Sequence, residues 1–463
     1  MSSLIHPDAR LVDATSGEVT TGEDLSARVA AVAEGLSEFP DGVVFARMSQ
    51  SFRDVLMYLG AFESGRAIAM IDPALDEDVF AGLVKRFRPA GIVGFGAPPP
   101  ADDYRGGMAH RWGRTSADGV RPHPDLAVLL PTSGSTGNPK LVRLSRSAVL
   151  HNAEAIAQVL AIDSDEVVAT NLPLHYSYGL SVLNSHLLRG ATIVLTGDGV
   201  MARPFWTAVE QYGITSLPGV PYHYEMLRRL RFDPAKYPSL RTLTQAGGKL
   251  RVELVTEFND KMRAVGGRMF VMYGQTEAAP RMSTVPADRL AEKLGSAGPA
   301  LPGGAFAIRA EDGTEVTEPG VDGEVVYRGP NVMMGYAENE AELANGDDVG
   351  GVLVTGDLGH LDEDGYLYIT GRLKRIGKVF GNRVNLDDLE QVVKGYGPAA
   401  AVPAGDKVVV WLQDADAEAC KAAAKTLAER LHLHVTGFDV RQTDDFPLLP
   451  SGKIDYRSLE ARV

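Results

Sequence analysis

The feature that most constrains this chain is the alternation of strand-like and helix-like segments through its first half. DGVVFARM and AIAMID are short apolar runs typical of buried strands, and the segment between them has helical spacing after Ser51, which can cap it. The same alternation returns between SAVLHNAEAIAQVLAI and ITSLPGV. Because strands that alternate with helices usually pair in parallel, the first half predicts mainly parallel sheets covered by helices on both faces.

The pattern changes beyond about Gly295. GGAFAIRAEDGTEVTEPGVDGEVVYRGP and HLDEDGYLYITGR alternate at period two around glycine-containing turns, which predicts antiparallel hairpins. After Arg372 a short basic stretch leads into a last α+β segment. The predicted fold class is therefore α/β, with a large N-terminal domain of layered sheets (residues 1–371) that includes an antiparallel β subdomain, and a small α+β C-terminal domain (residues 372–463).

Composition excludes several classes of protein. The 463 residues are 44% hydrophobic, enough for a large core, and the net charge of −14 disfavours a nucleic-acid-binding surface. Cys420 is the only cysteine, and its helical spacing with Leu427 and Leu431 predicts a small buried core residue. The sequence has neither a basic start followed by an apolar run nor an apolar stretch of membrane-spanning length, so we expect a cytoplasmic protein without a membrane span.

The loop PTSGSTGNPK, from Pro131 to Lys140, follows an apolar run and is rich in small and hydroxyl residues. Its glycines let backbone N–H groups approach a ligand closely, its hydroxyls add donors, and its lysine adds a positive charge, as in a phosphate cradle. It is not a Walker A loop, because it lacks the GK[ST] ending and has Pro139 where a phosphate-binding helix needs an N–H. An ordinary flexible loop is the alternative.

Three further stretches contain polar residues suited to a nucleotide. YGQTEAA follows an apolar run, so Glu277 is predicted at a strand end, where a carboxylate beside polyphosphate can hold Mg²⁺. TGDLG places Asp357 between two glycines, which suits a pair of ribose hydroxyls, and LLPSGKIDY places Lys453 on a loop near the end of the sequence. A turn aspartate and an exposed lysine are the ordinary alternatives for the last two.

Taken in order, TSGSTGNPK, YGQTE, TGDLGHLDEDGYLYITGR and PSGK are similar to the core motifs of the adenylate-forming superfamily. That superfamily includes acyl- and aryl-CoA ligases, stand-alone adenylation domains and beetle luciferases. The matches run from Thr132 to Lys453. The resemblance implies that ATP activates a carboxylic acid as an acyl-adenylate with release of pyrophosphate, and that the acyl group then passes to a second nucleophile. It also implies an active site between a large domain and a small mobile one.

The resemblance further implies which residues bind ATP. The opening loop would wrap the β- and γ-phosphates, Tyr273 would lie against the adenine, and Thr276 would lie near the α-phosphate. Glu277 would hold Mg²⁺, while Asp357 and Arg372 would hold the ribose hydroxyls. The implied ATP- or AMP-binding residues are Thr132, Ser133, Gly134, Ser135, Thr136, Gly137, Lys140, Gly247, Gly248, Tyr273, Gly274, Thr276, Asp357 and Arg372.

For catalysis, Lys453 matches the lysine that bridges the carboxylate and α-phosphate oxygens as the adenylate forms. Such a cation removes the repulsion between two anions that must meet. The superfamily then rotates its small domain about a hinge, here matched by Lys374, for the second step. Lys378, Gly381 and Arg383 match the loop that reaches the active site after this rotation; an exposed basic loop is the alternative.

The acid pocket departs from the superfamily pattern. LPLHYSYGL places Tyr176 at the position of the usual gate histidine and His175 one residue earlier, so either residue is a candidate for the gate. Tyr178, Tyr222 and His223 are the other implied pocket residues. Aromatic walls with few charges favour an aryl or medium-length apolar acid, and simple packing of the tyrosines is the alternative. Gly377 replaces the usual isoleucine of the basic loop, which predicts a looser loop.

The leading hypothesis is an ATP-dependent acid–thiol ligase, an acyl- or aryl-CoA ligase that uses ATP, Mg²⁺ and coenzyme A. The first alternative is a stand-alone adenylation enzyme that transfers the acyl group to a carrier-protein phosphopantetheine thiol, an amine or another nucleophile. The second is a catalytically silent relative that binds nucleotide. This last interpretation is disfavoured because a silent relative is expected to lose at least one of five residues that are all present here, namely Lys140, Glu277, Asp357, Arg372 and Lys453.

Overall fold

The computed structural model describes residues 3–96, 102–106, 110–131, 139–373, 375–449 and 453–463, without the side chains of Ile376, Arg383 and Asn385. Its contacts divide the chain into two compact units. The first comprises Met1–Ala305 and Tyr327–Leu353, and the second comprises Phe306–Val326 and Val354–Val463. The domain boundary between residues 371 and 372 stays a prediction.

The chain forms short strands throughout both units. In chain order the strands before residue 290 are β1 (Arg10–Asp13), β2 (Val19–Thr21), β3 (Val44–Arg47), β4 (Ile68–Ile71), β5 (Gly91–Val93), β6 (Tyr104–Gly106), β7 (Arg111–Arg114), β8 (Leu126–Pro131), β9 (Leu141–Ser145), β10 (Val167–Ala169), β11 (Thr192–Leu195), β12 (Ser216–Gly219), β13 (Thr242–Gln245), β14 (Arg268–Gly274) and β15 (Arg281–Val285). The later strands are β16 (Ala305–Arg309), β17 (Glu315–Val316), β18 (Gly323–Arg328), β19 (Gly335–Ala337), β20 (Val352–Leu361), β21 (Leu367–Arg372), β22 (Ile376–Val379), β23 (Asn382–Asn385), β24 (Ala399–Ala404), β25 (Lys407–Gln413) and β26 (Phe438–Thr443).

Helices occupy most of the intervals between the early strands. They are α1 (Gly22–Ser37), α2 (Phe52–Ser64), α3 (Glu77–Phe87), α4 (Arg146–Leu160), α5 (Ser177–Leu188), α6 (Arg203–Gln211), α7 (Pro221–Arg229), α8 (Val252–Ala264), α9 (Leu386–Val392), α10 (Ala417–Leu431) and α11 (Tyr456–Glu460). Local chemistry sets their ends: the Ser51 hydroxyl accepts a hydrogen bond from the Asp54 N–H at 3.2 Å, and Gly65 closes α2 in the left-handed conformation.

The first unit contains two eight-stranded sheets in the described part of the chain. Their orders are β15-β14-β13-β12-β10-β11-β1-β2 and β19-β9-β8-β4-β3-β5-β7-β6. Each sheet is parallel in its middle, as between β12, β13 and β14 or between β3, β4 and β8, and antiparallel at its edges. The alternation predicted from the sequence is therefore confirmed.

A large apolar core joins the two sheets of the first unit. Buried residues of α1, α2, α4 and α5 lie between strands of both sheets, for example Leu25, Tyr58, Ile156 and Leu183. A second core packs α3 against the other face of one sheet. Helices thus cover the sheets on both faces, which leaves the ends of the parallel strands as the available crevice.

The second unit is built from smaller sheets. One has the order β17-β16-β18-β20-β21, β22 and β23 form a hairpin, and β24, β25 and β26 form a third sheet against α10. Cys420 lies buried in α10 beside Leu427, so the prediction of a core cysteine is confirmed. Among the residues that the structure describes, no helix is long and apolar enough to cross a bilayer.

Candidate functional site

The predicted residues of the first unit gather where neighbouring parallel strands end. Strands β10, β12, β13 and β14 lie side by side in parallel, so their carboxyl ends share one edge of the sheet. Such an edge is where open α/β sheets bind ligands. The segments that follow these ends carry His175, Tyr176, Tyr178, Tyr222, His223, Gly247, Gly248, Thr276 and Glu277.

Gly247 and Gly248 form a wall that has room for backbone only. Gly247 has φ +84°, and a Cβ placed there would lie 2.2 Å from the Tyr176 hydroxyl oxygen. A Cβ at Gly248 would lie 3.2 Å from the Pro221 ring. The Gln245 side-chain amide donates to the Gly248 carbonyl at 2.8 Å and holds this turn. The structure therefore brings Tyr176 and the glycine pair together.

His175, the other gate candidate, contacts different elements. Its Nδ1 lies 2.9 Å from the Met48 carbonyl oxygen, and its Nε2 lies 3.5 Å from an Asp72 carboxylate oxygen. Both partners follow strands of the other sheet. His175 thus ties the loop after β10 to that sheet, while Tyr176 faces the Gly247 wall.

The end of β14 is shaped by close backbone approach. A Cβ at Gly274 would lie 2.0 Å from the Pro280 carbonyl oxygen, so no other residue fits there without rearrangement. Tyr273 is the residue before it in the strand. The Thr276 hydroxyl lies 3.1 Å from the Ser177 hydroxyl, at the start of α5. Two hydroxyl groups are therefore held side by side next to the predicted α-phosphate position.

Glu277 has a hydroxyl partner on a distant segment. Tyr336, on β19, donates to Glu277 Oε1 at 2.7 Å, and the Met333 N–H donates to the Glu277 carbonyl at 2.8 Å. Burial, and then the neighbouring Glu277 charge, raise the pKa of Tyr336, so the phenol stays protonated as a donor. The Lys140 ammonium lies 2.5 Å from Glu338 and near the Tyr336 ring, so the lysine that ends the opening loop is close to the same segment.

The donor set around Glu277 fits Mg²⁺ that arrives with a polyphosphate. Glu277 Oε2 has no hydrogen-bond partner among the described residues. Nowhere in the described ranges do three or more His, Cys, Asp or Glu side chains cluster to hold a metal ion by themselves. Mg²⁺ commonly takes one or two carboxylates and completes its shell with phosphate oxygens and water, so a single free carboxylate oxygen is a sufficient protein contribution.

The remaining pocket candidates differ in burial. Tyr178 is 3% exposed, and its hydroxyl lies 2.9 Å from the Thr244 hydroxyl, so it belongs to the core. Tyr222 is 40% exposed at the start of α7. Burial lowers the pKa of His223 to about 4, which keeps this imidazole neutral at pH 7. The walls of the crevice are therefore aromatic and uncharged at these positions.

In the second unit, Asp357 and Arg372 form a pair across two strands. They are opposite each other in β20 and β21, and Arg372 Nε donates to Asp357 Oδ1 at 3.1 Å. Asp357 is 3% exposed, and its N–H donates to the Thr355 hydroxyl at 3.0 Å. The Arg372 side chain is 59% exposed. A buried carboxylate beside an exposed guanidinium suits a neutral diol.

The predicted acceptor-facing loop is a β-hairpin. Lys378 on β22 is exposed and lies opposite Arg383 on β23. Gly381 occupies the turn with φ +79°, and its N–H donates to Asp406 Oδ1 at 2.9 Å. Gly377 is buried, and a Cβ there would lie 2.9 Å from the Leu386 and Val408 side chains. The expectation that Gly377 loosens this segment is wrong, because the glycine allows close packing.

Lys453 is exposed. The Leu449 N–H donates to the Lys453 carbonyl at 2.8 Å, and the Asp455 N–H donates to the Pro447 carbonyl at 2.7 Å. Tyr456 follows at the start of α11, where its hydroxyl donates to Glu390 at 3.3 Å. The Arg375 guanidinium lies 3.8 Å from the centre of the Tyr456 ring. The segment that carries Lys453 is thus anchored to a buried ionic group.

Some predicted residues lie outside the described part of the chain, and others were missed. Thr132, Ser133, Gly134, Ser135, Thr136, Gly137 and Lys374 are outside the described residues, as is the Arg383 side chain. The sequence analysis missed Ser177, Tyr336 and Arg375. Ser177 lies between the candidates Tyr176 and Tyr178 in the sequence, so the motif could have indicated it. Tyr336 and Arg375 carry no local signal that links them to Glu277 or Lys453.

Comparison with known proteins agrees with this geometry. A family model described as AMP-binding enzyme matches residues 4–337. The chain is 29% identical over 443 residues to an indoleacetate–CoA ligase of Aromatoleum aromaticum, covering 90% of this chain and 85% of that protein. It is 31% identical over 362 residues to a feruloyl-CoA synthase of an Amycolatopsis species, covering 71% of this chain and 68% of that protein.

Solved structures support the fold. ATP-bound MatB from Rhodopseudomonas palustris superposes with a TM-score of 0.79 at 22% identity, covering 98% of this chain and 96% of that one. The O-succinylbenzoate coenzyme A synthetase MenE from Bacillus subtilis, in complex with AMP, gives 0.77 at 21% identity, covering 98% and 95%. The predicted α/β fold class and the predicted resemblance are both confirmed. The family model spans most of the first unit, including the crevice edge from Tyr176 to Glu277, and the chain belongs to the AMP-binding enzyme family.

Proposed function

We propose that this protein is an AMP-forming acid–CoA ligase. It activates a carboxylic acid with ATP as the acyl-adenylate, releases pyrophosphate, and transfers the acyl group to the thiol of coenzyme A. The observation that carries the proposal is the crevice edge, which assembles Tyr176, the Gly247 wall, Thr276 and Glu277 at the ends of adjacent parallel strands. The names of the relatives support the ligase class and the thiol acceptor.

In the first step the acid and the α-phosphate are held together. The Thr276 and Ser177 hydroxyls are donors for an α-phosphate oxygen, and the Gly247 backbone lets adenine and acid lie close to the turn. Tyr176 closes one side of the acid pocket, and His175 acts structurally. Little acid–base chemistry is required, because the carboxylate is already ionised at neutral pH.

Charge neutralisation is the main catalytic demand. Glu277 would hold Mg²⁺ through Oε2, while Tyr336 fixes the other carboxylate oxygen. Bound Mg²⁺ would offset the negative charge of the phosphates. Lys453 bridges the acid and the α-phosphate, and Asp357 with Arg372 holds the ribose hydroxyls. The opening loop from Thr132 to Lys140 holds the departing pyrophosphate.

The second step uses the basic loop that the resemblance places at the active site after rotation of the small domain. Rotation of the small domain about the predicted hinge at Lys374 would move Lys453 out of the active site and bring in the β22–β23 hairpin. In this hairpin Lys378 and Arg383 lie opposite each other. Because Asp406 accepts a hydrogen bond from the hairpin turn, the hairpin can move together with the segment that carries Asp406. An acceptor other than coenzyme A, such as a carrier-protein phosphopantetheine thiol or an amine, is the alternative for this step. ATP and coenzyme A are both available in the cytoplasm, where we place the reaction.

The test is acid-dependent exchange between ATP and pyrophosphate, with a panel of aryl, fatty and amino acids, followed by addition of coenzyme A. We expect exchange with one class of acid and a CoA thioester as product. Glu277→Gln should reduce exchange and raise the Mg²⁺ concentration needed for half-maximal rate, whereas Glu292→Gln, at an exposed pair, should change neither. ATP binding without exchange for any acid would identify a silent relative and refute the proposal. ATP–pyrophosphate exchange without transfer to coenzyme A would support the adenylation step and refute coenzyme A as the acceptor.

A further inference from the structure

Arg86 lies where the opening loop ends. It is in the last turn of α3, and its guanidinium donates to two backbone carbonyl oxygens that are far apart in the sequence. Nη2 donates to the Pro139 carbonyl at 3.1 Å, and Nη1 donates to the Glu338 carbonyl at 3.0 Å. A guanidinium suits such a bridge because its donors form a rigid planar fork. Arg86 therefore joins the residue before Lys140 to the segment after β19 (residues 338–340).

The bridge begins where strand pairing ends. Strands β9 and β19 pair antiparallel, and their last pair toward the opening loop is Leu141 with Ala337. Pro139 has no N–H, so it cannot donate a further hydrogen bond of the ladder. Arg86 supplies two donors at this point, one for each of the two chain segments. The two segments are thus held together beyond the end of their strands.

Lys140 is connected to both of the residues that Arg86 holds. It follows Pro139 in the chain, and its ammonium lies 2.5 Å from the Glu338 carboxylate. These two charged side chains are 48% and 54% exposed, and an ion pair at such exposure contributes at most about 1 kcal/mol. The ion pair alone is therefore too weak to fix the position of Lys140, whereas the Arg86 bridge fixes the backbone on both sides of it.

The neighbouring strand carries the partner of the proposed Mg²⁺-binding carboxylate. Tyr336 on β19 donates to Glu277 Oε1 at 2.7 Å, and the centre of its ring is 5.9 Å from the Lys140 ammonium. A shift of Lys140 relative to β19 would change the separation between one cation and one carboxylate that the polyphosphate of ATP must meet together. The Arg86 bridge thus opposes a movement that would disturb this spacing.

We propose that Arg86 is a positioning residue that holds Lys140 in place for the β- and γ-phosphates of ATP. It acts through the Pro139 and Glu338 carbonyl groups and does not itself contact the nucleotide. The inference rests on the proposed function, which assigns Lys140 to these phosphates, and it adds a residue of α3 that no motif indicated. Because AMP has neither of the two outer phosphates, its binding should not depend on Arg86.

The experiment compares ATP with AMP as ligands. Isothermal titration calorimetry in the presence of Mg²⁺, without any acid, measures the Kd of each nucleotide for the wild type and the variants. Arg86→Met should raise the Kd for ATP by about 10-fold, which equals about 1.4 kcal/mol and is comparable to one hydrogen bond to a charged group. The Kd for AMP should stay unchanged. Arg86→Lys should fall between the wild type and Arg86→Met, because an ammonium does not reproduce the planar fork.

Arg88→Met is the matched control. Arg88 ends the same helix, its side chain is 37% exposed, and it pairs with Asp118 at 2.9 Å and with Glu340 at 3.6 Å. The Arg88→Met change therefore removes contacts of the same helix with the same segment after β19 but leaves the Arg86 bridge in place. The Kd values for ATP and AMP should both stay at their wild-type values in this variant.

A double variant tests whether Arg86 acts through Lys140. In a protein that already carries Lys140→Met, the further change Arg86→Met should raise the Kd for ATP by less than about 2-fold, because the two changes remove the same interaction. A further loss as large as in the single Arg86→Met variant would refute this route.

The remaining outcomes each have one meaning. Equal weakening of ATP and AMP binding in Arg86→Met, or no weakening of either, would overturn the inference. If Arg86→Met does not fold, Arg86→Lys decides by the same comparison of the two nucleotides. Absence of ATP–pyrophosphate exchange with every acid, together with selective weakening of ATP binding in the Arg86 variant, would refute the proposed ligase function and leave the role of Arg86 supported.

Discussion

Replacing Arg375 with methionine tests whether the anchor of the Lys453 segment is energetically important. Arg375 donates to Asp387 and to Glu390 (2.7 Å), and to the Ala401 carbonyl at 2.7 Å. Its side chain is only 15% exposed, as is that of Glu390. Removing one member of a buried pair leaves the other charge uncompensated and typically costs 3–5 kcal/mol. Because Asp387 is 24% exposed, we expect the low end, about 3 kcal/mol of unfolding free energy of the second unit.

The same unit offers a matched control at Arg441. This arginine also pairs with a carboxylate, Asp439 at 2.7 Å, and lies 5.4 Å from the Trp411 ring centre, but the pair is 36% and 47% exposed. Arg441→Met should therefore cost at most about 1 kcal/mol. Urea unfolding, monitored by hydrogen exchange over residues 375–463, measures the loss of unfolding free energy in both variants. Equal small losses of unfolding free energy would show that the Arg375 group is not a stabilising anchor. If the Arg375→Met/Glu390→Gln double variant regains the stability lost in Arg375→Met, the uncompensated charge of Glu390 is the cause.

Three further predictions use the crevice, the catalytic lysine and the buried imidazoles. Lys453→Ala should lower ATP–pyrophosphate exchange by at least about 100-fold, yet spare thioester formation from added acyl-adenylate; Arg457→Ala, four residues on, should affect neither, and equal loss of both half-reactions would contradict the role of Lys453. Gly247→Ala and Gly266→Ala should each lose about 1 kcal/mol from positive φ, but only Gly247→Ala, whose Cβ would meet Tyr176, should raise KM for the acid. In the folded protein the pKa of His223 is about 4, whereas in the unfolded chain it is about 6.5. Because the unfolded state binds the extra proton, the free energy of unfolding should fall by about 1.4 kcal/mol per pH unit on acidification between these values. His223→Gln should flatten that slope in acid-unfolding curves, and an unchanged slope would show that His223 is not responsible.

Local sequence signals predicted the elements and the motif positions. Apolar spacing located the alternating strands and helices, and Ser51 was a sufficient signal for the start of α2. The YGQTE motif placed Glu277 directly after β14, where the structure has it. Each of these features depends on residues that are close in sequence, which is the range that periodicity and capping rules cover.

Features that depend on distant partners were not predictable in this way. Tyr336 meets Glu277 from 59 residues away, and Tyr456 meets Glu390 from 66 residues away. His175 contacts the Met48 carbonyl, which follows a strand of the other sheet, and no spacing rule reports such a contact. Such contacts are set by the packing of the sheets.

The acceptors of Arg143 also fix an order in which the first unit can be completed during synthesis. Arg143 is on β9, but the carbonyl oxygens and the carboxylate that it requires belong to residues 334–348, which emerge from a ribosome some 190 residues later. The same late segment carries Tyr336, the partner of Glu277. A nascent or truncated chain that ends near residue 326 could form most strands of both large sheets, yet it would bury a cation without acceptors and leave Glu277 unheld. Completion of this core and the fixing of the Glu277 side chain by Tyr336 therefore both wait for residues 334–348 to emerge.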